Sequence, residues 1–481
     1  MKKIILPIIL MCCLVLNISA QQKQFNLTDD ASRTRVQHDV CLLASDSLMG
    51  REAGTAGEYL SRMFIASQFK EAGLQPFFGD TSFFRSFTYH DEPFIANGTT
   101  FSLNGNDLKL LTDFYPLAYS INGTLSGETF NAGYGISAAA SGYDDYKDTA
   151  AGRGKIFVIE LGAPAGFVEN EAIQERVGKY NKILLAQERG AIAVIFVCSD
   201  TAYGRPSDNP NYYWQRASIP VLFVSNISWF SKTGHDKVAL AVNIDRESKR
   251  SAYNVAGWIN NHAEYSIVIG GHYDHLGTGQ FGARSGGGED NIFYGADDNA
   301  SGTAGVMELA RRIKTAGLTK YNYIFVAFSA EEKGLIGSSR FLSDSSINGA
   351  KVDCMIDLDM IGRLNEKNEV KIFGVGTAKE WKSTIKTIPA DKLKLVNIKS
   401  GAGGSDHMPF YYHNIPDIFI HTGLHTDYHT PKDVCEKVNF EGMIQVINFT
   451  QKLIESLDSK PKLTFKTVSA GRMLFDLVHF L

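Results

Sequence analysis

From Ser251 onward the chain alternates short, almost wholly apolar runs with longer stretches of helical periodicity, and that alternation restricts its fold more than any other feature. Ser266-Ile-Val-Ile-Gly270, Tyr323-Ile-Phe-Val-Ala-Phe328, Val352 to Leu358 and Asp417-Ile-Phe-Ile420 read as strands. A strand without polar alternation is one covered on both faces. Ser301 to Gly317 carries Val306, Leu309, Ala310 and Ile313 at i, i+3, i+4 and i+7, and Gln445 to Leu457 reads as a closing helix. The expectation is an α/β fold with a mixed, mostly parallel sheet flanked by helices.

Acidic and imidazole residues follow most of these runs. The pieces are His272-Tyr-Asp274, Gly295-Ala-Asp-Asp298-Asn, Ser329-Ala-Glu331-Glu332, Ile356-Asp-Leu-Asp359-Met and Asp427-Tyr-His429-Thr. Open α/β sheets bind ligands beyond the carboxyl ends of their strands, where His272, Glu331, Glu332 and Asp359 fall. Two imidazoles and three carboxylates suit two co-bound zinc ions that share one bridging carboxylate. Asp274, two residues after His272, suits the outer partner of a metal-bound imidazole. An extended backbone at Glu331-Glu332 would send the two carboxylates to opposite sides, one toward a metal and one toward substrate. Each piece also has a plain reading: a solvated acidic pair, a hydrogen-bonded core histidine, aspartates capping the helix near Ser301, a surface histidine in a loop.

At 481 residues the chain suits two or three domains, and 44% hydrophobic with 21% charged residues argues against disorder and a membrane bundle. Lys2 and Lys3, the apolar run Ile4 to Leu16 and the ending Ile18-Ser19-Ala20 have the layout of a secretory signal, residues 1–20, with Gln21 starting an exported, periplasmic or secreted chain. An uncleaved anchor is the alternative. The run is short for a span of roughly 20 apolar residues, so no stable membrane insertion is expected after signal removal. Without Lys2 and Lys3 the 48 basic residues become 46 against 52 acidic ones, a net −6, and no nucleic-acid footprint is visible. Cys41, Cys198, Cys354 and Cys435 remain, too dispersed for a zinc finger. Three pairings are open to them, but a domain this large needs no staples, and free, mostly buried thiols are expected. Between them, residues 54–77 read as a surface helix using Leu60, Met63, Phe64 and Phe69, with a stop at Gly73-Leu74 and Pro76. From about Phe101 to Asn243 the texture turns to short strands, among them Lys155 to Glu160, Ala191 to Val197 and Pro220 to Val224, as expected of an inserted accessory module.

The motifs G-G-H-Y-D-H, G-A-D-D-N-A-S-G, S-A-E-E-K-G-L, D-L-D-M-I-G, G-S-D-H-M-P-F and D-Y-H-T-P-K-D, in this order, resemble the di-zinc aminopeptidases of metallopeptidase family twenty-eight. Upstream, L-M-G-R-E-A-G-T-A-G and A-Y-N-V-A-G-W-I resemble that family's approach to its catalytic domain. The likeness covers roughly residues 30–100 and 250–460, and the stretch between is similar to a protease-associated domain. It implies a zinc exopeptidase-like fold with that β-rich domain inserted: an N-terminal part at 21–115, the insert at 116–244, the catalytic domain at 245–460 and a tail at 461–481. It also implies two Zn2+ per chain and peptide substrates, with N-terminal residues removed. Asp298 would bridge, Glu332 and His429 would complete one site, and His272 and Asp359 the other. Glu331 would be the general base and Asp274 would orient His272. Some members place a tyrosine before the serine of the S-D-H motif, where this chain has Gly401-Ala-Gly-Gly404. Tyr428 matches the position used by the carboxypeptidase branch and is the expected oxyanion donor. A carboxypeptidase, a glutaminyl cyclase or a non-catalytic binding protein on the same fold are the alternatives.

Overall fold

The computed structural model describes residues 25–468 except 80, 92, 148–150, 168–169, 200–205, 207–215, 280–281, 285–290 and 402. The expected signal, 1–20, and positions 469–481 of the expected tail lie outside the described residues. Ser266–His272 is an inner strand of a nine-stranded mixed sheet. Asn322–Phe328 lies on one side of it, Val352–Leu358 on the other, and Asp417–His421 next to the latter, all parallel. Successive connections therefore leave in opposite directions and open a crevice at the carboxyl end of Ser266–His272. Lys249–Ile259 and Glu369–Phe373 flank this parallel group in antiparallel sense.

The apolar runs are buried along their whole length, so both faces of the sheet are covered. Ile267 and Ile269 join the core under the helices Asp29–Leu43, Ala56–Glu71, Gly302–Ala316 and Phe440–Asp458, while Val268 joins Phe328, Phe341, Met355 and Phe410 on the other face. That is the two-residue alternation of a strand expressed as two hydrophobic layers. Each fully buried side chain of this size contributes about 1.5–3 kcal/mol. Val306, Leu309, Ala310 and Ile313 all point into the core.

Of the four apolar positions expected to pack in the helix Ala56–Glu71, Phe69 is buried and Phe64 lies half-buried against the core, while the other two face outward. Leu60 and Met63 are each 45% exposed, whereas Ile65, Ala66 and Phe69 are buried. Glu58 is buried with them, because its Oε1 accepts hydrogen bonds from the Tyr253 N–H at 2.9 Å, the Tyr273 hydroxyl at 2.8 Å and the Ser329 hydroxyl at 3.1 Å. A hydrophobic count overlooks a buried acid whose oxygen finds three donors.

Phe84–His90 pairs with Lys249–Ile259, His90 opposite Lys249, and the chain between these partners builds a separate eight-stranded sheet. Gly123–Asn131, Ile156–Glu160, Ala193–Val197 and Val221–Val224 run parallel through it, with the helix Lys179–Glu188 in the connection before Ala193–Val197. Thr100–Leu103, Asn106–Asp107 and Phe114–Pro116 already belong to this sheet, so its first strands precede the expected boundary at 116. The expectation of free thiols is corrected for one pair. Cys41, in the Asp29–Leu43 helix, is disulfide-bonded to Cys435, just before the last helix, with Cα atoms 5.2 Å apart. Cys198 and Cys354 stay as thiols. Sequence separation says nothing about that pair because packing of the first helix on the last brings its ends together. No helix among the described residues is long and apolar enough to cross a membrane.

Candidate metal centre

His272 is the last residue of its strand. Its Nδ1 lies 3.1 Å from the Asp274 carbonyl oxygen and donates to it, which turns Nε2 toward Asp298 Oδ1 at 3.3 Å, Asp359 Oδ1 at 3.5 Å and Glu331 Oε2 at 3.9 Å. His429 repeats the device. Its Nδ1 donates to the Gly282 carbonyl at 2.9 Å, and its Nε2 lies 3.1 Å from Asp298 Oδ2 and 3.3 Å from Glu332 Oε2. A ring nitrogen fixed in this way among carboxylates needs a positive charge between them, either a proton or a metal ion. Asp298 meets one imidazole with each of its oxygens and so stands between the two groups.

Backbone irregularity places these side chains. Asp298 sits in the segment Ala296–Ser301, entered at Gly295 with φ of 53° and containing a cis Asp298–Asn299 peptide. Asn299 ties the segment to the neighbouring strand end, donating to the Leu358 carbonyl at 3.0 Å and accepting from the Gly302 and Met360 N–H groups at 2.8 and 3.1 Å. Asp433 Oδ2 accepts the N–H groups of Asp297 and Asp298, both at 3.0 Å. Asp297 is an anchor, accepting the Gly362 N–H at 2.6 Å and the Ser301 hydroxyl at 3.1 Å. The condition of extended backbone at Glu331-Glu332 is not met. Ala330 has φ of 56° and the Gly334 and Leu335 N–H groups return to the Glu331 carbonyl, so a turn separates the two carboxylates.

Burial works against ionised groups here, and their neighbours decide which remain ionised. Asp298 is nonetheless held well below the usual carboxylate range by hydrogen bonds from His272 and His429. Burial likewise opposes the His429 imidazolium, but Glu332 and Asp298 push its pKa up to about 11. Burial raises Asp359 to about 6 and Asp274 to about 7, and it raises Glu331 well above its ordinary range. The Asp274 carboxylate accepts the Glu331 N–H at 3.1 Å and lies 3.9 Å from His272 Nδ1, so its carbonyl, not its carboxylate, is the nearer partner of the imidazole. Tyr428 stacks on His429 with ring centroids 3.8 Å apart, and burial beside Asp298, Glu332 and Glu331 keeps its phenol protonated.

The donor set fits two cations. His272, Asp298 and Asp359 present ligand atoms within 4.8 Å of one another, as do His275, Asp298 and Glu332. Asp359 Oδ1 is buried without a hydrogen bond. Residues of the same motifs to which the sequence assigned no role include His275, whose Nδ1 lies 2.7 Å from Glu332 Oε1, Asp433, and Arg51 of L-M-G-R. The aromatic stretch after the S-D-H motif packs differently among its members. Phe410 is in the core, Tyr411 donates to the Val468 carbonyl, and Tyr412 is 62% exposed.

The fold is a mixed sheet flanked by helices, with candidate metal-binding residues gathered at the carboxyl ends of its strands. Residues 254–453 match the model for Peptidase family M28, and the chain carries a domain of that family, which makes it a peptidase. It is 27% identical over 442 residues to Aminopeptidase YwaD of Bacillus subtilis (strain 168), covering 89% of this chain and 86% of that protein. A probable leucine aminopeptidase of Trichophyton verrucosum (strain HKI 0517) is 28% identical over 215 residues, 41% of this chain and 54% of that one. Among solved structures, BSAP, a zinc aminopeptidase from Bacillus subtilis, superposes with a TM-score of 0.55 at 22% identity, covering 90% of this chain and 98% of that chain. An aminopeptidase from Aneurinibacillus sp. strain AM-1 superposes with a TM-score of 0.53 at 20% identity, covering 91% and 96%. These likenesses between structures concern the fold.

Proposed function

We propose that this protein is an exported aminopeptidase that holds two zinc ions and removes N-terminal residues from peptides, with the second sheet serving as a protease-associated module. The observation that carries the reading is the position of Asp298, whose two oxygens face His272 and His429 separately at 3.3 and 3.1 Å. One cation falls to His272, Asp298 and Asp359, the other to Asp298, Glu332 and His429. Zinc bound there supplies a Lewis acid for the scissile carbonyl and lowers the pKa of water. Glu331, whose Oε2 lies 3.9 Å from His272 Nε2 at the edge of the ligand group, takes a proton from water and returns it to the leaving amine. The protonated Tyr428 phenol donates to the developing oxyanion. Asp274 braces the base through the Glu331 N–H and the imidazole through its own carbonyl.

Similarity to Aminopeptidase YwaD across most of both chains favours the amino end of the substrate. The test offers one peptide in free, N-acetylated and C-amidated forms and counts the zinc bound. Cleavage of the free and amidated forms alone, with about two zinc ions per chain, is the expected result. Cleavage that survives acetylation but not amidation would make it a carboxypeptidase, and a chain that takes up no zinc would overturn the reading.

A further inference from the structure

Arg51 is entirely buried, and among the described residues its side chain donates only to backbone carbonyls. Nε bonds the Tyr273 oxygen at 2.8 Å, Nη1 the Leu43 and Tyr294 oxygens at 2.6 and 2.7 Å, and Nη2 the Gly295 oxygen at 3.0 Å. Tyr273 follows His272, and Tyr294 and Gly295 lead directly into the segment that carries Asp298. The arginine's own carbonyl accepts the His275 N–H at 3.3 Å, and the Gly50 carbonyl accepts the Gly277 N–H at 3.0 Å. One residue thus grips both ligand-bearing segments.

The grip requires unusual backbone. Met49, Gly50 and Arg51 have φ values of 47°, 69° and 51°, three consecutive left-handed residues of which only one is glycine. Such a run persists where surrounding contacts over-determine it, and it is found at sites that must be held in shape. Burial brings the guanidinium down to about 10, against the opposing fields of Asp298, Asp274, Asp433 and Glu332, so it remains charged at neutral pH. It is the internal countercharge to the carboxylates in front of it.

We propose that Arg51 is a positioning residue that clamps the His272 and Asp298 segments in their metal-binding arrangement before any metal enters. The inference rests on the two-zinc reading of the site. A planar fork with five N–H donors can span four carbonyls, whereas a lysine ammonium keeps the charge but has three donors in a different geometry. Arg51→Lys therefore separates position from charge.

The test compares zinc affinity, by competition with a chelator, in the wild-type protein, in Arg51→Lys, and in Leu457→Ala as a control destabilised in the last helix, where Leu457 is buried in the core. Arg51→Lys is expected to bind zinc about 10–100-fold more weakly, the usual effect of removing an outer partner of metal ligands. The control should bind as the wild type does. Equal affinity in a folded Arg51→Lys overturns the inference alone. A wild-type protein that takes up no zinc overturns the reading of the site and this inference with it. Should Arg51→Lys fail to fold, amide exchange in metal-free wild-type protein decides. Protection at His275, whose N–H reaches the Arg51 carbonyl, supports the clamp, and exchange there as fast as in unstructured chain overturns it.

Discussion

His275 Nδ1 lies 2.7 Å from Glu332 Oε1, while the other oxygen of that carboxylate lies 3.3 Å from His429 Nε2. The hydrogen bond occupies one oxygen of Glu332 and leaves the other for a cation. His275→Ala should therefore weaken zinc binding about 10–100-fold, and His275→Asn, which keeps a donor near the same place, should recover part of the loss. Calorimetric zinc titration of the three proteins checks this, and an unchanged His275→Ala would remove Glu332 orientation as its role.

Replacing the proposed base should separate chemistry from metal binding. Glu331→Gln is expected to keep its zinc and lose a factor of about 10² to 10⁴ in kcat, the range that general-base catalysis supplies. Metal analysis alongside steady-state rates measures both, and near-normal turnover in a zinc-loaded variant would reassign the base.

The Cys41–Cys435 bond should matter to stability more than to chemistry. Cys41→Ser is expected to cost about 2–5 kcal/mol, since long closed loops restrict the unfolded chain most. Denaturant unfolding of the variant against oxidised wild-type protein gives the difference. A non-reducing mass measurement that finds both thiols free would remove its basis.

Lys182 offers a pH test away from the centre. It is fully buried in the second sheet's helix, donates to the Glu160 and Gly162 carbonyls at 2.9 and 2.7 Å, and burial brings its pKa from 10.5 to about 8. Between those values the unfolded chain carries a proton that the folded one has released, so stability rises with pH across the window. Below it the penalty for burying the ammonium is present in full. Relative to Lys182→Met, which does not titrate, the wild-type protein should gain stability between about pH 8 and 10, measured by denaturant midpoints. A difference that stays flat would mean an ordinary lysine.

The parallel strands and the main helices were legible because nothing competes with burial there. Val306, Leu309 and Ile313 need only the core, and periodicity reports that need directly. Glu58 was illegible, since its burial depends on donors from Tyr253, Tyr273 and Ser329, all distant in sequence. At the centre, a likeness of motifs drew attention to ligand-type side chains, and the geometry then brought His272, Asp298 and Asp359 together. It said nothing of how they are oriented. The turn at Ala330, the carbonyl rather than carboxylate contact of Asp274, and the service of His275 and Asp433 to their neighbours all depend on backbone conformation. Residues that act through main-chain oxygens leave little pattern in a sequence.

The bond between Cys41 and Cys435 also governs what happens when a protease cuts the chain. Everything from the last turn of the first helix to the threshold of the last helix, the whole second sheet included, lies inside one covalent ring. A single nick anywhere within it opens the ring without releasing a fragment, so the halves stay together until a reductant parts them.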